Sequence, residues 1–429
     1  MNQAIPEKTA GSQISVFAIL RRYHPDFSGA GRQARQVSAR LAKEGFRVVV
    51  LTQWEGRARE VSREQFLDGT RVRRLSVVRQ VPRNQLPFPD RLSSAFALVS
   101  ALLNRASFVL SCLWTMLRTA AQPGIMQLYS CNEFTFFLVL VSRLLGLHPV
   151  IRMTLMGSDD PVSLARRPLG RLAFRAFAAA DAVVSLSTPL TDSYLAAGLD
   201  PRKLAQIPNG VDCDQFHPVS HSEKRRLRGH LGLDSCACYI AFVGTAYARK
   251  GVDILVEAFV RVAERHDEVS LVIVGPSDFS DTRRYRPERS QQVAAWREQI
   301  SKARLAARVV WTGEVQDVAA YLQAADIFCF PSRREGMPSA VLEAMAVGLP
   351  VVVSSMDGIA ADFVDSGQDG YIVAGEDPGL YAERIMRFLS NPEEMENMGR
   401  NARQRVEREF SMGRVSSEYA NLYRRLVQS

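Results

Sequence analysis

The sequence predicts an α/β protein of two doubly wound domains, and three observations carry that prediction. Short apolar runs alternate with stretches of helical spacing, the pattern of parallel strands joined by crossover helices. The alternation stops at Ile207-Pro208-Asn209-Gly210-Val211-Asp212, where Pro and Asn-Gly mark a turn, and restarts at Tyr239. The length, 429 residues, exceeds one ordinary core and suits two domains of about 200 residues each. The predicted domains are 1–211 and 212–411, followed by a terminal segment 412–429.

In the first half, 14–20 reads as a buried strand, followed by a loop containing Ser28-Gly29-Ala30-Gly31. Ala34, Val37, Leu41 and Ala42 then recur at helical spacing. Further strands are expected at 46–51, 72–78, 125–129, 150–155 and 182–187. In the second half the expected strands are 239–243, 270–274, 309–311, 327–330 and 351–354, again with helices between them. The polar insert 278–292 has no apolar period and reads as a loop, and 414–427 reads as a helix.

The stretch 92–117 is apolar apart from Asn104, Arg105 and several Ser and Thr. A break at Asn104-Arg105 would leave two runs of 12 residues, each too short to cross a hydrocarbon layer of ~30 Å. That pattern predicts a buried or groove-lining helix pair; the alternative is a surface helix dipping into a membrane interface.

Apolar content of 47% is ordinary for a globular protein. The six cysteines show no C-x-x-C pairing, so free thiols in a reducing cytoplasm are expected and a metal is not. Residues 1–13 lack the apolar core of a secretion signal, which also points to the cytoplasm. Charge is uneven. Residues 1–218 hold 27 Lys and Arg against 16 Asp and Glu, an excess of 11, while the remainder is net −2. A basic first half suits an anionic partner, such as lipid head groups or a phosphorylated lipid. Nucleic acid is not expected, because the basic residues are scattered and no nucleic-acid motif accompanies them.

The most informative segment runs from Ser332 to Ala346. It places Glu335 and Glu343 with seven residues between them, around a loop-to-helix junction. The run 327–330 should be a strand, Glu335 should lie on the loop at its carboxyl end, and Glu343 on the helix beginning near Pro338 or Ser339. The free N–H groups of that helix start, beside carboxylates that accept hydroxyl protons, suit a phosphate flanked by polyols. A sugar linked to a nucleoside diphosphate has both features. The run 242–251 forms a strand, a loop with Gly244, and a helix start where Lys250 and Arg249 can meet a diphosphate.

The pattern S-x-x-E-G-x-P-x-x-x-L-E-A-M-A-x-G-x-P-V-V resembles the donor signature of the family four retaining glycosyltransferases of GT-B fold. The resemblance runs from about residue 14 to about 425. It implies that Glu335 contacts the donor sugar's hydroxyls, that Glu343 contacts the ribose, and that Gly336, Met337 and Ser339 offer backbone N–H groups, with Pro338, which has none, completing the donor-binding segment. It implies a diphosphate contact for Lys250, whereas the Arg expected after Gly244 is replaced by Thr245, leaving Arg249 as the substitute. Gly29 and Gly31 resemble the family's glycine loop after the first strand. Thr154-Leu155-Met156-Gly157 is similar to a segment that often reads T-x-H-G, with Met156 in the histidine's place. Asp159 or Asp160 then becomes the candidate for orienting an acceptor hydroxyl, an N-cap role before Pro161 being the alternative. The resemblance further implies that the last helix, 412–429, packs back on the first domain. It implies a UDP- or GDP-sugar donor, a lipid-linked or polysaccharide acceptor and no metal cofactor. A nucleotide-sugar epimerase and a non-catalytic relative stay open as other classes. A hydrolase's acid/base pair fits the two glutamates less well, since no hydrolytic motif accompanies them.

Overall fold

The computed structural model describes residues 13–25, 28–54, 62–78, 81, 90–119, 123–132, 134–167, 170–279 and 287–429. Two compact units emerge. One contains the described residues up to Ser185, with Ser193–Ile207 and Ser416–Ser429; the other contains Leu186–Asp192 and Pro208–Val415.

The first unit is built on β1 (Ser15–Ile19), β2 (Arg47–Trp54), β3 (Glu64–Leu67), β4 (Thr70–Ser76), β5 (Gly124–Leu128), β6 (Leu147–Arg152), β7 (Ala182–Ser185) and β8 (Leu204–Gln206). Their order in the sheet is β3-β4-β2-β1-β5-β6-β7-β8. All neighbours are parallel except β3 and β4. That edge hairpin departs from the expected all-parallel sheet. Its cause is Asp68-Gly69, both at positive φ (50° and 76°), the backbone of a two-residue hairpin turn. The central strands β1 and β5 are apolar and fully buried because helices cover both faces.

Helix α1 (Gly29–Lys43) starts at Ser28, whose side-chain oxygen accepts from the Gly31 N–H at 3.2 Å. Gly29 and Gly31 therefore open a helix and do not form the expected loop. A Cβ on Gly31 would lie 2.7 Å from the Arg22 carbonyl, so this glycine lets α1 sit against the end of β1. The stretch expected as two short helices is one continuous helix, α2 (Asp90–Thr119). Asn104 and Arg105 do not break it, since neither lacks an N–H nor strains helical φ. Asn104 is buried and its amide donates to the Val78 carbonyl at 2.7 Å. Helices α3 (Thr135–Leu144), α4 (Pro161–Ala165), α5 (Gly170–Ala179) and α6 (Thr188–Ala196) follow.

The second unit carries α7 (His221–His230), β9 (Cys238–Val243), α8 (Val252–Ala263), β10 (Val269–Val274), α9 (Pro287–Lys302), β11 (Val309–Gly313), α10 (Val318–Ala324), β12 (Ile327–Phe330), α11 (Ser339–Ala346), β13 (Val351–Ser354), β14 (Gly370–Val373), α12 (Pro378–Ser390) and α13 (Pro392–Arg405). Its six strands are parallel, in the order β11-β10-β9-β12-β13-β14. Helix α9 takes up the end of the expected loop 278–292; residues 280–286 of that insert lie outside the described residues. So do most of the loop 83–91 and nearly all of 1–13. The terminal helix α14 (Met412–Gln428) has its last turns in the first unit, where the Tyr423 hydroxyl donates to Gln127 at 2.8 Å and Arg424 meets Glu44 at 3.0 Å.

Candidate active site

In the second sheet the connections run one way from β9 through β10 to β11, and the other way from β12 onward. The order in which strands are added thus reverses between β9 and β12, which run parallel. At such a switch point the loops leaving the two strands diverge and open a crevice at their carboxyl ends. The 244–251 loop follows β9 and the 331–338 loop follows β12, so the two segments singled out from the sequence are neighbours there.

They are joined atom by atom. The Arg333 N–H donates to the Arg249 carbonyl at 2.9 Å, and the Ser332 hydroxyl oxygen lies 3.2 Å from the same carbonyl. The Arg333 guanidinium reaches the Ala248 carbonyl and forms a two-pronged pair with Asp253 at 2.8–2.9 Å, with Glu376 beside it. These carboxylates hold the Arg333 pKa well above the usual guanidinium value, chiefly through the hydrogen bond to Asp253. Gly251 permits the close approach. It stands at φ 72°, and a Cβ there would lie 1.9 Å from the Pro331 carbonyl.

The seam brings Lys250, Arg249 and Glu335 together. Glu335 Oε1 accepts from Lys250 Nζ at 2.7 Å, from Ser332 Oγ at 2.6 Å and from Arg249 Nη1 at 3.3 Å. Its other oxygen has no protein partner among the described residues. Three donors on one oxygen fix the carboxylate's orientation and leave the second oxygen for a ligand's hydroxyl. Lys250 Nζ lies 5.0 Å above the Phe330 ring, part of a stacked set with Phe242 and Phe328. Arg249 stacks on Tyr247 and bonds to its hydroxyl. The cations thus rest on an apolar floor that weakens solvent screening.

Helix α11 starts at Ser339, as expected, with Pro338 as its cap and no side-chain cap bond. Glu343 lies on this helix and is buried, as Glu335 is on its loop. Met337 is also buried. Its carbonyl accepts from the Asn209 amide at 2.6 Å, and its sulfur takes the Asn209 N–H at 3.2 Å. Asn209 was visible in the sequence only as a turn former; its role in pinning the Gly336–Ser339 segment was not. Ser332, Arg333 and Asp253 were likewise missed as braces. The signal for Arg333 was weak, since a single Arg in S-R-R-E-G does not name its partners.

In the first unit, Met156 lies half-buried on the turn after β6. Asp159 is buried and its carboxylate accepts from the Thr154 N–H and hydroxyl and from the Leu155 N–H, at 2.5–3.2 Å. Burial pushes its pKa up to about 6 against those bonds. Asp160 is the N-cap of α4, accepting from Ser163 N–H at 3.0 Å, Gly157 N–H at 2.8 Å and Ser193 hydroxyl at 2.8 Å. The two aspartates are thus braces of the Met156 turn. Asp159 accepts from the Thr154–Leu155 backbone and the Thr154 hydroxyl, and Asp160 takes the N-cap role before Pro161 that was the alternative. Among the described residues, no group of three or more His, Cys, Asp or Glu side chains is placed to hold a metal ion.

Comparison with known proteins identifies the family of the chain. The family model described as "Glycosyl transferases group 1" matches residues 223–405, and that described as "Glycosyl transferase 4-like domain" matches 28–210. D-inositol 3-phosphate glycosyltransferase 2 of Catenulispora acidiphila is 30% identical over 239 residues, 54% of this chain and 52% of that protein. Alpha-maltose-1-phosphate synthase of Mycolicibacterium smegmatis is 30% identical over 259 residues, 58% and 64% of the two chains. The chain thus spans between about half and two thirds of the length of these curated relatives. Among solved structures, Anabaena HepE in complex with UDP superposes with a TM-score of 0.72 at 17% identity, over 96% of this chain and 99% of that one. That likeness shows the fold, two Rossmann-like units of GT-B type. With both halves matched by the two models, the chain belongs to the group 1 glycosyltransferases.

Proposed function

We propose that the protein is a retaining glycosyltransferase that moves a sugar from a UDP- or GDP-sugar to a hydroxyl of a lipid-linked or polysaccharide acceptor, in cell-surface polysaccharide or glycolipid assembly. The observation that carries the reading is the convergence of Lys250 and Arg249 on one oxygen of Glu335, at the switch point of the second sheet. Anions bind at such crevices, and HepE's complex with UDP supports a nucleotide donor.

In this reading Lys250 and Arg249 turn from Glu335 towards the diphosphate as it departs and take up its growing charge, without a metal. The open oxygen of Glu335 accepts from a sugar hydroxyl, and Glu343 from the ribose. Backbone N–H groups of the Gly336–Ser339 segment, held by Asn209, face the sugar or phosphate. The acceptor hydroxyl attacks the anomeric carbon on the face the diphosphate leaves. The C–O bond to the acceptor forms as the C–O bond to the diphosphate breaks, and the hydroxyl proton passes to the leaving phosphate. Met156 acts through its backbone carbonyl in place of an imidazole. The excess of basic residues in the first half suits an anionic, membrane-proximal acceptor.

The test is a thermal-shift screen of nucleotide sugars followed by product analysis. A donor at 100 times its dissociation constant should add about 2.7 kcal/mol of stability. Glycoside product with free nucleoside diphosphate supports the reading. An isomerised nucleotide sugar, or stabilisation without turnover on any acceptor, would assign one of the other two classes.

A further inference from the structure

Helix α2 has two faces with different chemistry. One is bound to its own unit, where Phe108, Val109, Cys112 and Met116 are buried beside a polar row. Ser100, Asn104, Ser107 and Ser111, spaced by three or four residues, all bond to the backbone of residues 76–81. The Val81 and Val78 N–H groups donate to Ser100 and Ser107 at 3.2 and 2.9 Å, and Ser111 donates to the Ser76 carbonyl at 3.1 Å. Asn104 donates to the Val78 carbonyl at 2.7 Å. This ladder lays the helix along the unit.

The other face is apolar and exposed. Leu92, Phe96, Val99, Leu103, Leu110 and Leu117 follow a spacing of three, four or seven, so they form one stripe on the helix. Leu110 is 65% exposed. The stripe is about 40 Å long at 1.5 Å per residue. Helix α3, packed beside α2, widens it with Phe137, Leu140 and Leu144, the last 78% exposed. By length and composition Leu92–Thr119 could cross a bilayer. Its hydroxyl-and-amide ladder uses the other side, however, so insertion across hydrocarbon would strip those bonds.

The charges tell what covers the stripe. From Leu92 to Thr119 and throughout α3 every charged residue is an arginine, and neither stretch has an acidic one. Arg118 stacks on the exposed Trp114 ring at 4.1 Å, pairing an interfacial aromatic with a cation at the stripe's margin. A broad apolar face whose helical stretches 92–119 and 135–144 carry no acidic residue, edged by Trp114 and Arg118, is complementary to an anionic lipid surface.

We infer that the α2–α3 face docks the protein in the plane of an anionic bilayer, with the leucine stripe among the acyl chains and Arg118, beside Trp114, at the phosphates. The inference deepens the lipid-linked acceptor reading, but its surface observation does not depend on the donor chemistry. The test is flotation of the whole protein with phosphatidylcholine vesicles, with and without phosphatidylglycerol, in low and high salt. The Leu103→Glu/Leu110→Glu variant is run beside the wild type. Wild type should float at least tenfold better than the variant on anionic vesicles, less well on neutral ones, and less well in high salt. Wild-type tryptophan emission should shift to the blue on binding, and Trp114→Phe should lose that shift. Equal flotation of wild type and variant would overturn the proposal. So would absence of vesicle binding together with a dimer, seen by sedimentation equilibrium, that the variant abolishes. Donor-induced thermal stabilisation, measured on the same variant, should be unchanged; its loss in both proteins would indict the functional reading and leave the docking result standing.

Discussion

The two units spend similar residues in opposite ways. Helix α8 of the second unit buries Val252, Ile254, Leu255, Val256, Phe259 and Val262 against its own sheet. Helix α2 of the first unit is also rich in apolar residues, yet it turns most of its leucines outward and sets its serines and asparagine inward beside Phe108, Cys112 and Met116. Carboxylates show the reverse contrast. At the second unit's switch point, Glu335 is gripped by two cations and keeps an oxygen open. In the first unit, Asp159 and Asp160 are wholly engaged in holding a turn. A buried carboxylate with an open oxygen beside two cations is equipped for a ligand, whereas one saturated by N–H and hydroxyl donors is equipped for rigidity.

The largest effect expected from breaking that contrast is at Lys250. Lys250→Ala should lower turnover by about 30- to 1000-fold, corresponding to ~2–4 kcal/mol of transition-state stabilisation. Initial rates of sugar transfer measure it, and a variant keeping a third of wild-type turnover would remove Lys250 from the chemistry. Next comes Gly251→Ala. Its Cβ would collide with the Pro331 carbonyl at a left-handed φ, so the seam between the two loops must open. Donor affinity should fall at least tenfold by calorimetry, and the melting temperature should fall too, with a cost on the order of 2 kcal/mol. Tight donor binding by this variant would show that the seam does not shape the site.

Asn209→Ala removes a single neutral brace from the Met337 carbonyl. The expected loss is about 1 kcal/mol, seen as a roughly fivefold rise in donor KM with kcat little changed. The smallest effect sharpens the first unit's side of the contrast. The Asp159 pKa is raised by burial to about 6, above its unfolded value near 3.9. The native turn therefore holds a proton that the unfolded chain has released between those two pH values. Its contribution to stability is fully present below about pH 4 and is lost as pH rises through about 6. The carboxyl carbon resonance of Asp159 should titrate with a midpoint near 6, and a midpoint at or below 4 would deny its burial.

The nature of the fold was legible because buried parallel strands must be continuously apolar. Runs such as 271–274 and 351–353 carry that signal in themselves. The short edge elements were not legible. β3, β8 and β14 are brief and only partly apolar, so their pairing depends on a neighbour already in place. Asp68-Gly69 was a readable hairpin signal that went unused. Asn104-Arg105 looked like a break because periodicity counts apolar residues. The helix continues because a buried amide found a carbonyl 26 residues away.

By itself the sequence determined the two-unit α/β architecture, the presence of Lys250 and Glu335 on strand-end loops, and the net positive first half. These follow from local spacing, composition and the chain's own order. Only the tertiary structure decided that those loops meet, since β9 and β12 are adjacent through a strand order that no local pattern encodes. It also decided which aspartate caps, which one braces, and which side of α2 faces out. Each of those outcomes rests on a hydrogen-bond partner or a packing surface supplied by another part of the chain.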